Sequence, residues 1–213
     1  RFITGVIVVV GASVLVAFGL RRYLHHSPRF AVKTVYVDGN ARRTAHQIAR
    51  AGDIAIGKNI FQVDEHNAAL AIGNDPWVEK ATVRRDLPNT IRIQVVEREA
   101  HLLVTLQDQL FLVDGRGVVF KQWHEGDPAD LPVVTGLSVT EATRDRKALS
   151  ARLRRVLQVK TDLERRHIDK HYPLQEVNLM ADGTMHAVVG TDGITLELGR
   201  GPYRKKIDKA SHI

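Results

Sequence analysis

Residues 2–20 read FITGVIVVVGASVLVAFGL, nineteen positions without a charged side chain, and no other stretch of the chain limits its fold as strongly. At ~1.5 Å of rise per residue, a helix of this length reaches roughly the thickness of a bilayer's hydrocarbon core. A helix also satisfies its own backbone polar groups, which lipid requires. Arg1 stands at one end and Arg21, Arg22 and Tyr23 at the other, placed to anchor at an interface. A cleaved leader would have a shorter apolar region followed by a small-x-small site, and the RRYLHHSPRF that follows offers none. A buried core helix would show a polar face, and this stretch has none. The expectation is a membrane-spanning helix within residues 1–22, contacting lipid through residues 2–20.

Charge alone leaves the orientation open. By the positive-inside tendency, Arg21 and Arg22 would face the cytoplasm. The sequence begins with Arg rather than Met, however, so the flank before it is expected to be missing from the count.

The remaining chain is long enough for one or two small domains. Its 44% hydrophobic and 26% charged residues suit a folded body rather than a disordered one. Cysteine is absent, which excludes disulfides, a thiolate nucleophile and cysteine-ligated metals, and agrees with an oxidising compartment. The net charge of +7 suits a basic surface near anionic headgroups. Nucleic-acid binding would need clustered cations. Here the arginines are scattered or sit beside acids, as in Arg84-Arg85-Asp86, so no nucleic-acid partner is expected.

Ser27-Pro28 marks a linker over residues 23–29. A strand over 30–37 ends in the turn Asp38-Gly39-Asn40. Thr44 with Gln47 forms a capping-box pattern for a short helix ending at Gly52. Asp64 caps a second helix over 65–72, stopped by Asn74-Asp75-Pro76. Strands over 77–85 and 90–97 follow, the second alternating strictly at Ile91, Ile93 and Val95. The order β-α-α-β-β over residues 30–99 buries its apolar sides by packing helices on one sheet face. Beyond Ala100, short strands are expected at 102–106, 109–113 and 118–120, and Leu131-Pro132 leads into Val133-Val134-Thr135-Gly136. A long amphipathic helix covers 144–167, and strands cover 174–180, 185–189 and 194–198. A last helix begins near Pro202. The fold class is α+β, with the second part, residues 100–213, a mostly antiparallel β domain carrying packed helices.

Reaction chemistry is hard to assemble from these residues. His167 and His171 have the spacing of helical zinc ligands, but Tyr172-Pro173 ends the helix and no H-E-x-x-H occurs, so surface histidines are the better reading. The glycine-rich stretch 190–201 flanks a hairpin and lacks the strand-then-helix order of a phosphate loop. No serine stands in G-x-S-x-G. Glu97-Arg98-Glu99 reads as a solvated charge cluster at a strand end. Trp77 reads first as core packing, with a binding anchor as the sharper alternative. No enzyme activity, cofactor, metal or small-molecule substrate is expected.

The motifs in order resemble the FtsQ/DivIB family of bacterial cell-division proteins. They are V-x-V-D-G-N at 35–40, G-K-N-I-F-Q-V-D at 57–64 and P-W-V-E-K-A-T-V-R-R-D-L-P-N-T at 76–90. V-x-E-R at 95–98, L-V-D-x-x-G-V-V-F at 112–120, L-P-V-V-T-G at 131–136 and L-G-R-G at 198–201 complete the series. The resemblance implies a POTRA domain at 30–99, an FtsQ-type β domain at 100–213, a cytoplasmic N-terminus and a periplasmic body. It further implies a divisome scaffold that holds FtsB and FtsL and acts through them on FtsW and FtsI, with partner strands added to a sheet edge. The family's capturing strand follows the helix that begins near Pro202, so the last strands and the main partner site are expected to lie beyond Ile213, and an edge at 194–198 would be one that those strands cover. Trp77, Arg84, Arg85, Leu198 and Arg200 are the candidate partner-binding residues. The alternative is a POTRA-bearing module of envelope biogenesis or secretion, which would need repeated POTRA units or a following barrel.

Overall fold

Strict alternation along one strand organises the first half of the chain. In β3 (Thr90–Glu97), Ile91, Ile93 and Val95 are buried on one face, while Arg92, Gln94 and Val96 point out on the other. A computed structural model describes residues 2–138 and 144–210, without the side chains of 2–4, 6–8, 209 and 210. It resolves into two compact units, residues 1–98 and 99–213.

In the first unit β3 is central, in the order β1-β3-β2. β1 (Thr34–Asp38) runs parallel to it, with Val35 beside Ile91 and Val37 beside Ile93. β2 (Val78–Asp86) runs antiparallel, with Val83 beside Ile93. The register therefore sends the aliphatic residues of all three strands to one side, where α2 (Ala45–Ala51) and α3 (Glu65–Gly73) supply Ile48, Ala49, Ala68 and Ile72. Both helix starts are fixed as the sequence leads one to expect. The Thr44 hydroxyl accepts from the Gln47 N–H while the Gln47 side chain accepts from the Thr44 N–H. The Asp64 carboxylate accepts from the N–H groups of His66 and Asn67, which hold its pKa below the ordinary value.

Two details differ from expectation. Gly52 does end α2, but with φ −82°; the left-handed residue is Asp53, at φ 53°. The strand expected from residue 30 begins at Thr34, because Pro28–Phe30 form a 3-10 turn capped by Ser27. Gly39 is required where it stands. Its φ is +82°, and a Cβ there would lie 2.0 Å from the carbonyl oxygen of Val95.

The helix expected from the apolar stretch forms as α1 (Phe2–His26) and runs four residues past position 22, into the expected linker. Among the described residues, no helix is long and apolar enough to cross a membrane. Part of the apolar stretch, the side chains of 2–4 and 6–8, lies outside the described residues. Val9, Val10, Val14, Leu15, Val16, Phe18 and Leu20 are all exposed.

The second unit holds a seven-stranded sheet in the order β10-β9-β8-β7-β4-β5-β6. Its strands are β4 (Ala100–Leu106), β5 (Gln109–Asp114), β6 (Val119–Gln122), β7 (Val133–Thr135), β8 (Leu174–Leu179), β9 (Met185–Val189) and β10 (Ile194–Gly199). Hairpins join β4 to β5 and β8 to β9, as the turn residues suggest. β7 is the departure from an antiparallel sheet, for it lies parallel to both β4 and β8. Parallel neighbours need a crossover, and α4 (Arg146–Arg165) provides it between β7 and β8. α4 buries Leu149, Leu153, Val156, Val159 and Leu163 against the sheet, and Leu157 is only partly buried. Gly117, at φ +75°, lets the β5–β6 turn come close to α4, where a Cβ would sit 2.6 Å from the Ser150 carbonyl oxygen. Arg166 reaches Asp208 and the Asp162 carbonyl, tying α5 (Arg204–Ala210) to the end of α4.

Two measurements check this account. Gly39→Ala combines a left-handed backbone with a clash against the central strand and should cost about 3 kcal/mol or more. Gly57→Ala, at φ +89° with open space around it, should cost only about 1–2 kcal/mol in thermal unfolding. The second check is pH. Glu65 accepts from the Arg85 side chain and backbone N–H, and that Arg85 hydrogen bonding holds its pKa below the ordinary glutamate value. Its contribution is present above about pH 4.3 and is lost as pH falls below that through the lowered folded value. Glu65→Gln should therefore flatten the acid limb of the stability–pH curve; an unchanged limb would disprove the link.

Candidate partner-binding surfaces

The turn between β1 and α2 is held by a carboxylate 55 residues away. At the end of β3, Glu97 Oε1 accepts from the N–H groups of Ala41 and Arg42 at 2.9 and 3.0 Å, and Oε2 accepts from Arg42 N–H at 3.1 Å. Asn40 Nδ2 donates to the Arg43 carbonyl, and Arg43 Nε donates to Asp75 Oδ2 at 2.9 Å. So anchored, Arg42 lays its guanidinium over the Trp77 ring, 3.6 Å from the centroid. Three separated motifs meet here: D-G-N, P-W and V-x-E-R. Sequence reasoning took Glu97 for a solvated charge. Its partners lie far off along the chain, and the only local signal was the glycine turn that brings them near.

Trp77 is 6% exposed. Its N–H donates to Asp75 Oδ1 and its carbonyl accepts from the Arg98 N–H at 2.7 Å. It lies outside the aliphatic core cluster of the unit, with the Arg42 guanidinium over its ring. Arg85 faces the helices, its guanidinium 2.9 Å from Glu65. Arg84 faces the opposite way. It stands across from Arg92 on the uncovered sheet face, where Arg92 pairs with Asp86 at 3.0 Å and reaches over Tyr36. Like charges directly opposite repel, and only Arg92 is neutralised, since no carboxylate pairs with Arg84 among the described residues. The exposed row Tyr36, Arg92, Arg84 is the cationic, aromatic surface of this unit.

Leu198 and Arg200 belong to the second unit. The Leu198 side chain is 2% exposed, in the core, and its carbonyl accepts from Lys206 Nζ. Arg200 is exposed and lies 3.2 Å from Asp182. β10 ends the sheet and pairs only with β9 among the described residues. Ile194, Thr195 and Glu197 along it are exposed.

The histidine pair considered as metal ligands falls beyond α4. His167 has φ 57°, so it and His171 do not share a helical face. Among the described residues, no group of three or more metal-ligating side chains is brought together. Asp114 is buried and accepts from the N–H groups of Arg116 and Val118, both at 2.9 Å. This shapes the turn of the L-V-D-x-x-G motif.

Removing the Glu97 carboxylate should free the turn. Glu97→Ala, in a Trp123→Phe background so that Trp77 is the only emitter, should red-shift the emission and cost about 1–2 kcal/mol. Unchanged emission and stability would show that Arg42 needs no such anchor.

Comparison with known proteins agrees with the motifs. The family profile described as POTRA domain, FtsQ-type, matches residues 30–98, and that described as Cell division protein FtsQ/DivIB, C-terminal, matches residues 103–213. The chain is similar to the cell division protein FtsQ of Geotalea daltonii, at 28% identity over 96% of this chain and 76% of the relative. The FtsQ of Myxococcus fulvus is 30% identical over 99% of this chain and 71% of its own. That of Syntrophotalea carbinolica is 29% identical over 96% and 72%. Profiles covering most of each unit, and relatives matched over more than two thirds of their own length, place the chain in the FtsQ/DivIB family of cell division proteins.

Proposed function

We propose that the chain is a non-enzymatic scaffold of the division machinery, anchored in the inner membrane by α1, with its N-terminus cytoplasmic and both units periplasmic. It holds FtsB and FtsL, and through them influences FtsW and FtsI at the septum. The observation that carries this reading is the match of residues 103–213, which hold the seven-stranded sheet, to the FtsQ/DivIB C-terminal profile. Backbone pairing at a sheet edge needs little from the guest's side chains, and β10 marks the end of the sheet at which the chain's following strands, and then a partner strand, would add. Arg200 at the end of this strand and Arg84 on the uncovered face of the first sheet supply charge for acidic partner segments. Trp77 and Arg85 act indirectly, by fixing the loop and strand that carry those surfaces. The uncharged run of residues 2–20 supports the anchor.

These 213 residues contain no cysteine, which permits one experiment on both location and partner in a full-length protein cleared of any cysteine elsewhere. Single cysteines at Thr195 (β10) or Gln122 (β6), in the full-length protein in cells with a permeabilised outer membrane, are treated with a membrane-impermeant maleimide photocrosslinker. Both sites should label, and FtsB or FtsL should crosslink from Thr195 and not from Gln122. Protection of both sites until lysis would refute the periplasmic placement. Labelling with crosslinks only from Gln122, or from neither, would refute capture at this end of the sheet.

A further inference from the structure

The last two turns of α1 build a groove that partner capture does not use. Phe18, Arg21, Arg22, His25 and His26 follow the spacing i, i+3, i+4, i+7, i+8, so they share one helix face. Gln62, from the 3-10 turn Ile60–Gln62, closes that face into a groove of about 310 Å³.

The groove is held in shape from outside. Asn59 Nδ2 donates to the Leu24 carbonyl at 2.9 Å, which satisfies one acceptor in the final turns of the helix. The His25 ring packs on Phe61, 6.1 Å between centroids, and Phe61 meets Phe30 edge-on at 5.1 Å. His26 Nδ1 donates to the Arg22 carbonyl at 2.9 Å, leaving Nε2 as the ring nitrogen available to a ligand. The G-K-N-I-F-Q motif thus acts as the seat of the helix end.

The charge in the groove is uncompensated. No carboxylate pairs with Arg21 or Arg22 among the described residues. Guanidinium groups match phosphate oxygens two at a time, and the Gln62 amide adds a donor. One end of the groove is aromatic and apolar at Phe18, toward the uncharged stretch; the other is polar at Gln62. That gradient fits a molecule with a phosphate head and a hydrocarbon tail.

We propose that this groove binds the phosphodiester headgroup of an anionic phospholipid, with Arg21 and Arg22 on the phosphate and Phe18 against the first acyl carbons. The inference rests on the reading of α1 as a membrane anchor, which sets the groove at headgroup depth. A bound lipid would fix the height and rotation of the first unit at the membrane surface, because α1 and that unit share the seat described above.

The test uses the full chain in nonionic detergent, titrated with short-chain phosphatidylglycerol, the matched phosphatidylcholine, and inorganic phosphate. Phosphatidylglycerol should bind saturably, phosphatidylcholine should not, and phosphate should bind roughly tenfold more weakly for want of the apolar contact. Each basic side chain near an anionic lipid contributes roughly fivefold, so Arg21→Gln with Arg22→Gln should weaken phosphatidylglycerol binding about twenty-five-fold. Arg29→Gln, exposed and outside the groove, should leave it unchanged. Equal affinity for the two lipids, phosphate binding as tight as phosphatidylglycerol, or an unaffected double variant would each overturn the proposal. Carbonate extraction of the same chain from membranes separates the two readings. A chain released by carbonate that still selects phosphatidylglycerol refutes the spanning anchor and keeps the groove. A retained chain without selectivity refutes the groove alone.

Discussion

A thin sheet covered by helices on one face tolerates only one register for each strand, because a slip of one residue turns every aliphatic side chain into solvent. Most other features of the first unit follow from this. Ile91, Ile93 and Val95 of β3 set the buried face, and β1 and β2 align their valines with them. The turn after β1 must then lie directly on the Val95 backbone, which leaves no room for a side chain at position 39. The carboxylate two residues on from Val95 is left facing the unpaired N–H groups of the following loop. A glycine, a glutamate and an arginine stacked on a tryptophan are thus one solution to one packing requirement.

The second unit meets the same requirement on a larger scale. A single amphipathic helix covers the centre of its sheet, and the glycine at position 117 allows the β5–β6 turn to approach that helix closely. Gly136, at φ +82°, does the same for the chain leaving β7, where a Cβ would meet the Leu179 carbonyl at 2.5 Å. The glycines in the recognisable motifs therefore mark backbone-to-backbone contacts.

Local signals were legible in the sequence and distant ones were not. The caps at Thr44 and Asp64 and the alternation of β3 depend on residues within a few positions of each other, and they can be read directly. The direction of β7 could not be read, because Val-Val-Thr suits a parallel or an antiparallel neighbour equally; only the long helix after it forces a crossover. Among the candidate site residues, Arg84 and Arg200 are exposed, while Trp77 and Leu198 are buried. Sequence alone separates these poorly, since a large apolar residue in a motif suits either a core or a contact. Glu97 and Asn59 were missed because each acts on a segment more than thirty positions away.

The three residues of β7 carry a mechanical consequence. They join the hairpins β8–β9 and β4–β5 at the middle of the seven-stranded sheet, with only two register pairs on one side and three on the other. Load carried across the sheet from one outer strand to the other must cross this junction, and the two pairs between β4 and β7 are the fewest between any neighbours in it.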